Sequence, residues 1–254
     1  MCLIVVSLNE HPAYKLIVAT NRDEFYNRRT ASADYWSEHP QVLGGRDLEA
    51  GGTWMAMNRN GRISMVTNYR DPSNINRAAP SRGKLVSDYV RTDARPLSYL
   101  ENVAANARLF NGFNLIVGNQ NELYYFSNHG DGIAPVPPGL HGLSNHLLDT
   151  PWPKVRNALD KVGPILNTLA VNTDDLLDAM YDDKIAPDNE LPDTGVGLER
   201  ERELSSMFIK SAGYGSRNTT IVLVDRDENV QFVERVYNTS DFTFTSRAFS
   251  FRIT

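Results

Sequence analysis

Four times along this chain, two short runs rich in β-branched and aromatic residues face each other across a few turn-forming residues. That pattern predicts antiparallel hairpins. The first pair is 2–8 with 14–20, joined by Asn9-Glu10-His11-Pro12-Ala13. Its leading strand starts at the chain terminus, so pairing within a sheet is expected to tie that terminus down. The second pair, 53–57 with 62–67, flanks Asn58-Arg59-Asn60-Gly61, whose Asn-Gly step supplies the positive-φ positions of a tight turn. The third is 113–118 with 122–127, and the fourth is 219–224 with 230–236. Residues 242–251 alternate like one more strand. Between the pairs, 84–92 and 97–109 are amphipathic at helical spacing, as is 152–169, where Gly163-Pro164 is expected to break the helix. A further helix over 174–181 would take Thr173 as its N-cap, and 182–198 reads as a surface loop. Strand pairs alternating with helix pairs imply antiparallel sheets covered by helices. A chain of 254 residues suffices for one large domain with a full core, so a single domain over 1–254 is the simplest organisation.

Charge and composition exclude several function classes. The net charge is −5 and the Lys and Arg residues are scattered, so no basic stripe marks a nucleic-acid surface. The start of the chain lacks the basic leader, long apolar core and small-residue cleavage site of a signal peptide. No stretch approaches the roughly 18–20 apolar residues of a membrane span. One cysteine allows no internal disulfide and fits a reducing compartment, so the expected location is cytoplasmic. Asp225-x-Asp227-x-Asn229 begins like a calcium loop, but Val230 and Val236 stand where Gly and Glu are required. The five histidines lack zinc-type spacing with cysteine, so no metal and no required cofactor is expected. A phosphate-binding glycine loop and a Gly-x-Ser-x-Gly elbow are both missing.

Chemistry concentrates at Cys2. Removal of Met1 would leave a thiol and a free α-amine on one residue. The amine, with an ordinary pKa of about 7.7–8, can take the proton of its own side chain. A small buried cysteine on a strand is the alternative, and position alone leaves both open. Asn21-Arg22-Asp23-Glu24 follows the second run, and the hairpin returns it beside Cys2. There an arginine would favour the thiolate and a carboxylate would hold or orient the amine, whereas a merely solvated loop would have the same composition. Asn68 ends the strand after the Asn-Gly turn, and Asn145 follows Gly142-Leu143-Ser144. Asparagine amides serve as oxyanion donors, although single asparagines are also common in turns. Arg217 stands at another strand entry.

Met1-Cys2, Ala19-Thr20-Asn21-Arg22-Asp23-Glu24-Phe25-Tyr26, Gly51-Gly52-Thr53-Trp54, Val66-Thr67-Asn68-Tyr69, Asn111-Gly112-Phe113-Asn114, Gly142-Leu143-Ser144-Asn145, Thr150-Pro151-Trp152 and Gly213-Tyr214-Gly215-Ser216-Arg217 occur in this order. Together they resemble the NRDE family, also called the transport and Golgi organisation protein 2 family, from end to end. That family is similar to N-terminal-nucleophile hydrolases, and the resemblance implies an α+β fold, an αββα four-layer sandwich with two stacked antiparallel sheets between helix layers. Among its enzymatic relatives are cysteine-type choloylglycine hydrolases and penicillin V acylases. By that likeness Cys2 is the nucleophile, Asp23 and Arg217 order the site, and Asn68 and Asn145 hold the oxyanion. Asn21, Arg22 and Glu24 fall to binding. In the acylases an arginine lies three residues before the aspartate; here Thr20 holds that place and Arg22 adjoins Asp23, which shifts thiol activation to Arg217 and the amine. The family is also associated with intracellular haem trafficking and acyl-lipid handling. The resemblance therefore implies a small-molecule ligand, haem as cargo or an acyl-CoA-like or lipid-like compound, and is compatible with a homodimer. Its alternative is a cysteine hydrolase of amide or thioester bonds.

Overall fold

The computed structural model describes residues 2–254. In chain order its strands are β1 (Cys2–Leu8), β2 (Tyr14–Phe25), β3 (Thr30–Trp36), β4 (His39–Asp47), β5 (Met55–Asn58), β6 (Ile63–Asn68), β7 (Phe113–Gly118), β8 (Leu123–Ser127), β9 (Ile133–Pro135), β10 (Gly139–Leu143), β11 (Lys210–Ser211), β12 (Tyr214–Asp225), β13 (Asn229–Tyr237) and β14 (Phe244–Arg252). The helices are α1 (Gly83–Arg91), α2 (Pro96–Ala105), α3 (Pro153–Ile165), α4 (Thr173–Ala179) and α5 (Leu198–Glu203). Among the described residues the strands form two antiparallel sheets. One has the order β10-β1-β2-β12-β13-β14, with β11 added beside β12; the other runs β3 to β9 in sequence order.

The alternation along β1 explains the layering. Cys2, Ile4, Val6 and Leu8 point into a core shared with Leu43, Met55, Met65 and Ile116 of the second sheet. Leu3 and Val5 point the other way, against Val155, Ala158 and Val162 of α3 and Leu176 and Leu177 of α4. A strand apolar on both sides is stable only when both faces are covered. The outer face of the second sheet, through Val42, Leu115 and Val117, packs on Leu85, Val86 and Tyr89 of α1 and Leu100 and Val103 of α2. The result is the αββα sandwich. None of the described helices is long and apolar enough to cross a membrane.

Several local expectations change. The second run continues as strand to Phe25, so Asn21 to Glu24 lie inside β2 rather than in a loop: all four pair with β12, and Asn21 and Arg22 pair with β1 as well. Arg217 likewise lies within β12, at a bulge between Ser216 and Asn218, not at a strand entry. Thr173 is the first residue of α4; the cap is Asn172, whose side chain accepts the Asp174 N–H at 2.8 Å. The proline in α3 falls in its last turn, and the helix ends one residue later. Residues 225–229 form a hairpin turn in which Asp225 Oδ1 accepts the N–H groups of Asp227 and Asn229. Strands β3, β4, β9 and β10 are additional: Pro40, the Gly44-Gly45 pair and the prolines at 135, 137 and 138 interrupt the periodic signal in the last three, and register shifts break the pairing of β3 with β4.

The chain leaving β10 joins the two sheets. Thr67 Oγ1 donates to the Ser144 carbonyl at 2.5 Å, and the Arg70 N–H donates to the Asn145 carbonyl at 2.8 Å. Asn114 Nδ2 reaches Thr67 Oγ1 at 3.0 Å and the His146 carbonyl at 2.9 Å.

Candidate functional site

Cys2 and Arg22 are direct partners across the β1–β2 ladder, so both side chains emerge on the same face, between the sheets. The Arg22 guanidinium lies over the Trp54 ring, 4.2 Å from its centroid, and its Nη2 is 3.8 Å from Glu24 Oε2. Trp54 is seated against Gly45, where a Cβ would fall 2.1 Å from the indole. Gly52 serves a similar purpose: a Cβ there would meet the Gly83 carbonyl carbon at 2.4 Å. That backbone contact brings the segment before α1 over the site and delivers Arg82, whose Nη1 donates to the Gly112 carbonyl at 2.8 Å.

These residues enclose a cleft of about 530 Å³, lined by Cys2, Arg22, Glu24, Asn68, Arg77 and Arg82 among others. Beside it lies a second lobe of about 240 Å³ that shares Asn68, Arg82 and Asn111 and is walled by Pro72, Ile75 and Leu204. Cys2 is 7% exposed at the inner end of the first lobe. Burial pushes its thiol up; the Asp23 carboxylate adds to that, while the Arg22 guanidinium and the Asp23 N–H favour the thiolate. Burial lowers the pKa of Arg82, against the pull of Glu24 and Cys2.

Asp23 also lines the cleft, but its carboxylate turns to the helix side of β2. Ser216 Oγ donates to Oδ1 at 2.6 Å, and Lys154 Nζ stands 3.8 Å from Oδ2. Burial raises the Asp23 pKa, opposed by Lys154, Ser216 and Arg22.

Of the eight residues singled out in the sequence, the cleft thus gathers Cys2, Arg22, Asp23, Glu24 and Asn68. The other three lie elsewhere. Asn21 donates to the carbonyls of Met180 and Met207, both at 2.9 Å, and accepts from Thr219 Oγ1 at 2.6 Å. It ties β2 to the helix layer. Asn145 is fully buried, and its Nδ2 donates to the Asn68 carbonyl at 2.9 Å. Its amide holds the strand end that carries Asn68. Arg217 donates to the carbonyls of Phe25 and Arg28, at 3.1 and 2.6 Å, and braces the β2–β3 turn. Arg22, not Arg217, is the cation opposite Cys2. The Met1 removal that an N-terminal nucleophile requires lies outside the described residues.

Arg82 and Lys154 were missed in the sequence. Arg82 sits in a non-repetitive stretch with no pattern to mark it. Lys154 did leave a signal: it interrupts the otherwise apolar buried face of α3 formed by Val155, Ala158 and Val162.

The sequence pattern described as Transport and Golgi organisation 2 matches residues 1–239. The transport and Golgi organization protein 2 homolog of Bos taurus is 37% identical, with 96% of this chain and 95% of that one covered. The Homo sapiens homolog is 34% identical, with 100% and 99% covered. Among solved structures, the Caenorhabditis elegans N-acylethanolamine-hydrolyzing acid amidase ortholog superposes with a TM-score of 0.50 at 8% identity, covering 87% of this chain and 92% of that one. That likeness is one of fold, and it is the two-sheet sandwich of an N-terminal-nucleophile hydrolase. The chain belongs to the transport and Golgi organisation 2 family.

Proposed function

We propose that this chain is a cysteine hydrolase of amide or thioester bonds in an acyl substrate, acting in the cytoplasm, where its thiol stays reduced. The observation that carries this reading is Cys2 at the inner end of an arginine-walled cleft, opposite Arg22 and beside Asn68. With Met1 removed, the α-amine of Cys2 takes the thiol proton, and Sγ attacks the acyl carbonyl carbon. The carbonyl oxygen gains negative charge that the Asn68 amide can receive. The C–N or C–S bond then breaks, and the leaving amine or thiol departs with the proton held by the α-amine. Water hydrolyses the acyl-thioester by the same route and regenerates Cys2. Arg77 and Arg82 at the cleft wall suit a substrate carrying a carboxylate or phosphate.

A second reading, carriage of haem or an acyl-CoA-like or lipid-like ligand, draws on the apolar lobe beside the cleft and on the Asn145 amide being committed to the Asn68 carbonyl. The two readings part at Cys2→Ala. The hydrolase loses all turnover of acyl thioesters and amides, and intact-mass measurement of the unaltered protein finds Met1 absent and an acyl adduct on Cys2. A carrier keeps its ligand affinity in Cys2→Ala, and haem titration then gives a Soret band. Retained Met1, or no adduct with any acyl thioester, overturns the hydrolase reading.

A further inference from the structure

Lys154 is the second residue of α3 and is 1% exposed. Its ammonium is costly there. No acceptor lies within hydrogen-bond range of Nζ among the described residues. The first turn of a helix, the positive end of its dipole, also disfavours a cation. An apolar side chain of the same length, on a helix whose other buried residues include Val155, Ala158 and Val162, would carry no such cost. What the lysine adds is charge beside Asp23, at 3.8 Å, with both side chains shut off from water. Lys154 is pushed down to about 8, chiefly by burial, so it remains a cation at neutral pH.

Asp23 needs that charge because of where it stands. Its N–H favours the Cys2 thiolate while its carboxylate opposes formation of that thiolate. We propose that Lys154 is a positioning residue of the Cys2 site, a buried counter-charge that cancels the field of Asp23 at the sulfur and so permits the thiolate to form. Other charged groups among the described residues also face the pair, and Arg22 favours both the Asp23 carboxylate and the Cys2 thiolate. Arg22 stacks on Trp54, Arg70 is paired with Glu201, and Tyr214 donates to the Asp23 carbonyl at 3.3 Å. Arg70 disfavours and Glu201 favours the Lys154 cation, and a charge on Cys2 acts back on Lys154 to favour it as well. Cys2, Asp23 and Lys154 therefore ionise as a coupled set.

The inference rests on the reading of Cys2 as a nucleophile, but its test reads the thiol and not turnover. The measurement is the rate of alkylation by iodoacetamide across pH, on the full chain. Lys154→Met removes the buried cation beside the Asp23 carboxylate, so alkylation near neutral pH slows by about tenfold and its pH profile moves to higher pH. Lys154→Arg restores the rate. The double variant Asp23→Asn/Lys154→Met, with both charges gone, recovers most of it. An unchanged profile in Lys154→Met, or a double variant as slow as the single, overturns the proposal. Should Lys154→Met fail to fold, Asp23→Asn is compared with the double variant. Asp23→Asn, whose lysine is now unopposed, alkylates at least about threefold faster, and equal rates overturn the proposal. An unaltered protein that turns over no acyl substrate, while Lys154→Met still slows alkylation, counts against the hydrolase and leaves Lys154's role intact.

Discussion

Arg22 is held from two directions, by the Trp54 ring beneath it and by Glu24 beside it on the same strand face. Cation–ring contacts of this kind gain strength when water is excluded, and Arg22 is buried. The position of the guanidinium opposite Cys2 thus depends on Trp54, and Trp54 depends on the missing side chain at Gly45. Gly45→Ala is expected to displace the indole, destabilise the fold by about 1–3 kcal/mol and slow thiol alkylation. Denaturant unfolding and alkylation kinetics on the same preparation check both effects. The result that sinks the idea is a stability loss with no change at the thiol. At this scale much of the site was readable. Cys2 announced itself by position, and the Asn-Arg-Asp-Glu run by density of charge after an apolar strand. What the sequence did not show was direction. Neighbours in the run face opposite sides of β2, so Arg22 and Glu24 meet the cleft while Asn21 turns to the helix layer.

Strand β13 carries a comparable buried group. Glu234 joins the two sheets: Oε1 accepts from Asn218 Nδ2 at 2.8 Å, and Oε2 accepts the Ala33 N–H at 2.7 Å. Burial pushes it up to about 7, above its ordinary 4.5. The folded state keeps its proton at pH values where the unfolded chain has lost it. Stability is therefore full below about pH 4.5 and declines as pH rises toward about 7, by up to a few kcal/mol. Glu234→Gln removes this slope. Denaturant midpoints of both proteins at several pH values between about 5 and 8 provide the comparison, and parallel curves would refute the assignment. Such bridges are invisible from one strand's pattern, because the partner is 201 residues away. The hairpins themselves were legible, since each is built from local alternation and a turn. Strand β4 was not, because Gly44 and Gly45 answer to contacts with Ala56 and Trp54 rather than to a local period.

For the molecule as a whole, the order of strands decides what is coupled to what. Strand β14 forms an edge, pairing with β13 from Asn229↔Arg252 to Tyr237↔Phe244, and it lies beyond the residues that match the family pattern. Phe251 nonetheless packs in the core between the sheets. Phe251→Ala should cost about 3 kcal/mol and lower Tm by at least about 5 °C. With β13, β12 and β2 intervening between β14 and Cys2, thiol alkylation of the folded variant should keep its rate. A Tm within a degree of the parent would mean that the edge strand is dispensable. The stiffest and the least regular parts of the chain meet at the cleft. Cys2, Arg22 and Asp23 belong to paired strands, whereas Arg77 and Arg82, with Pro72 and Ile75 of the apolar lobe, come from the stretch between β6 and α1, whose only helical turn is three residues long. Insertions and substitutions are absorbed most easily in such a stretch. Substitutions in that strap therefore reshape the cleft wall, while Cys2, Arg22 and Asp23, anchored in the sheet, keep their register.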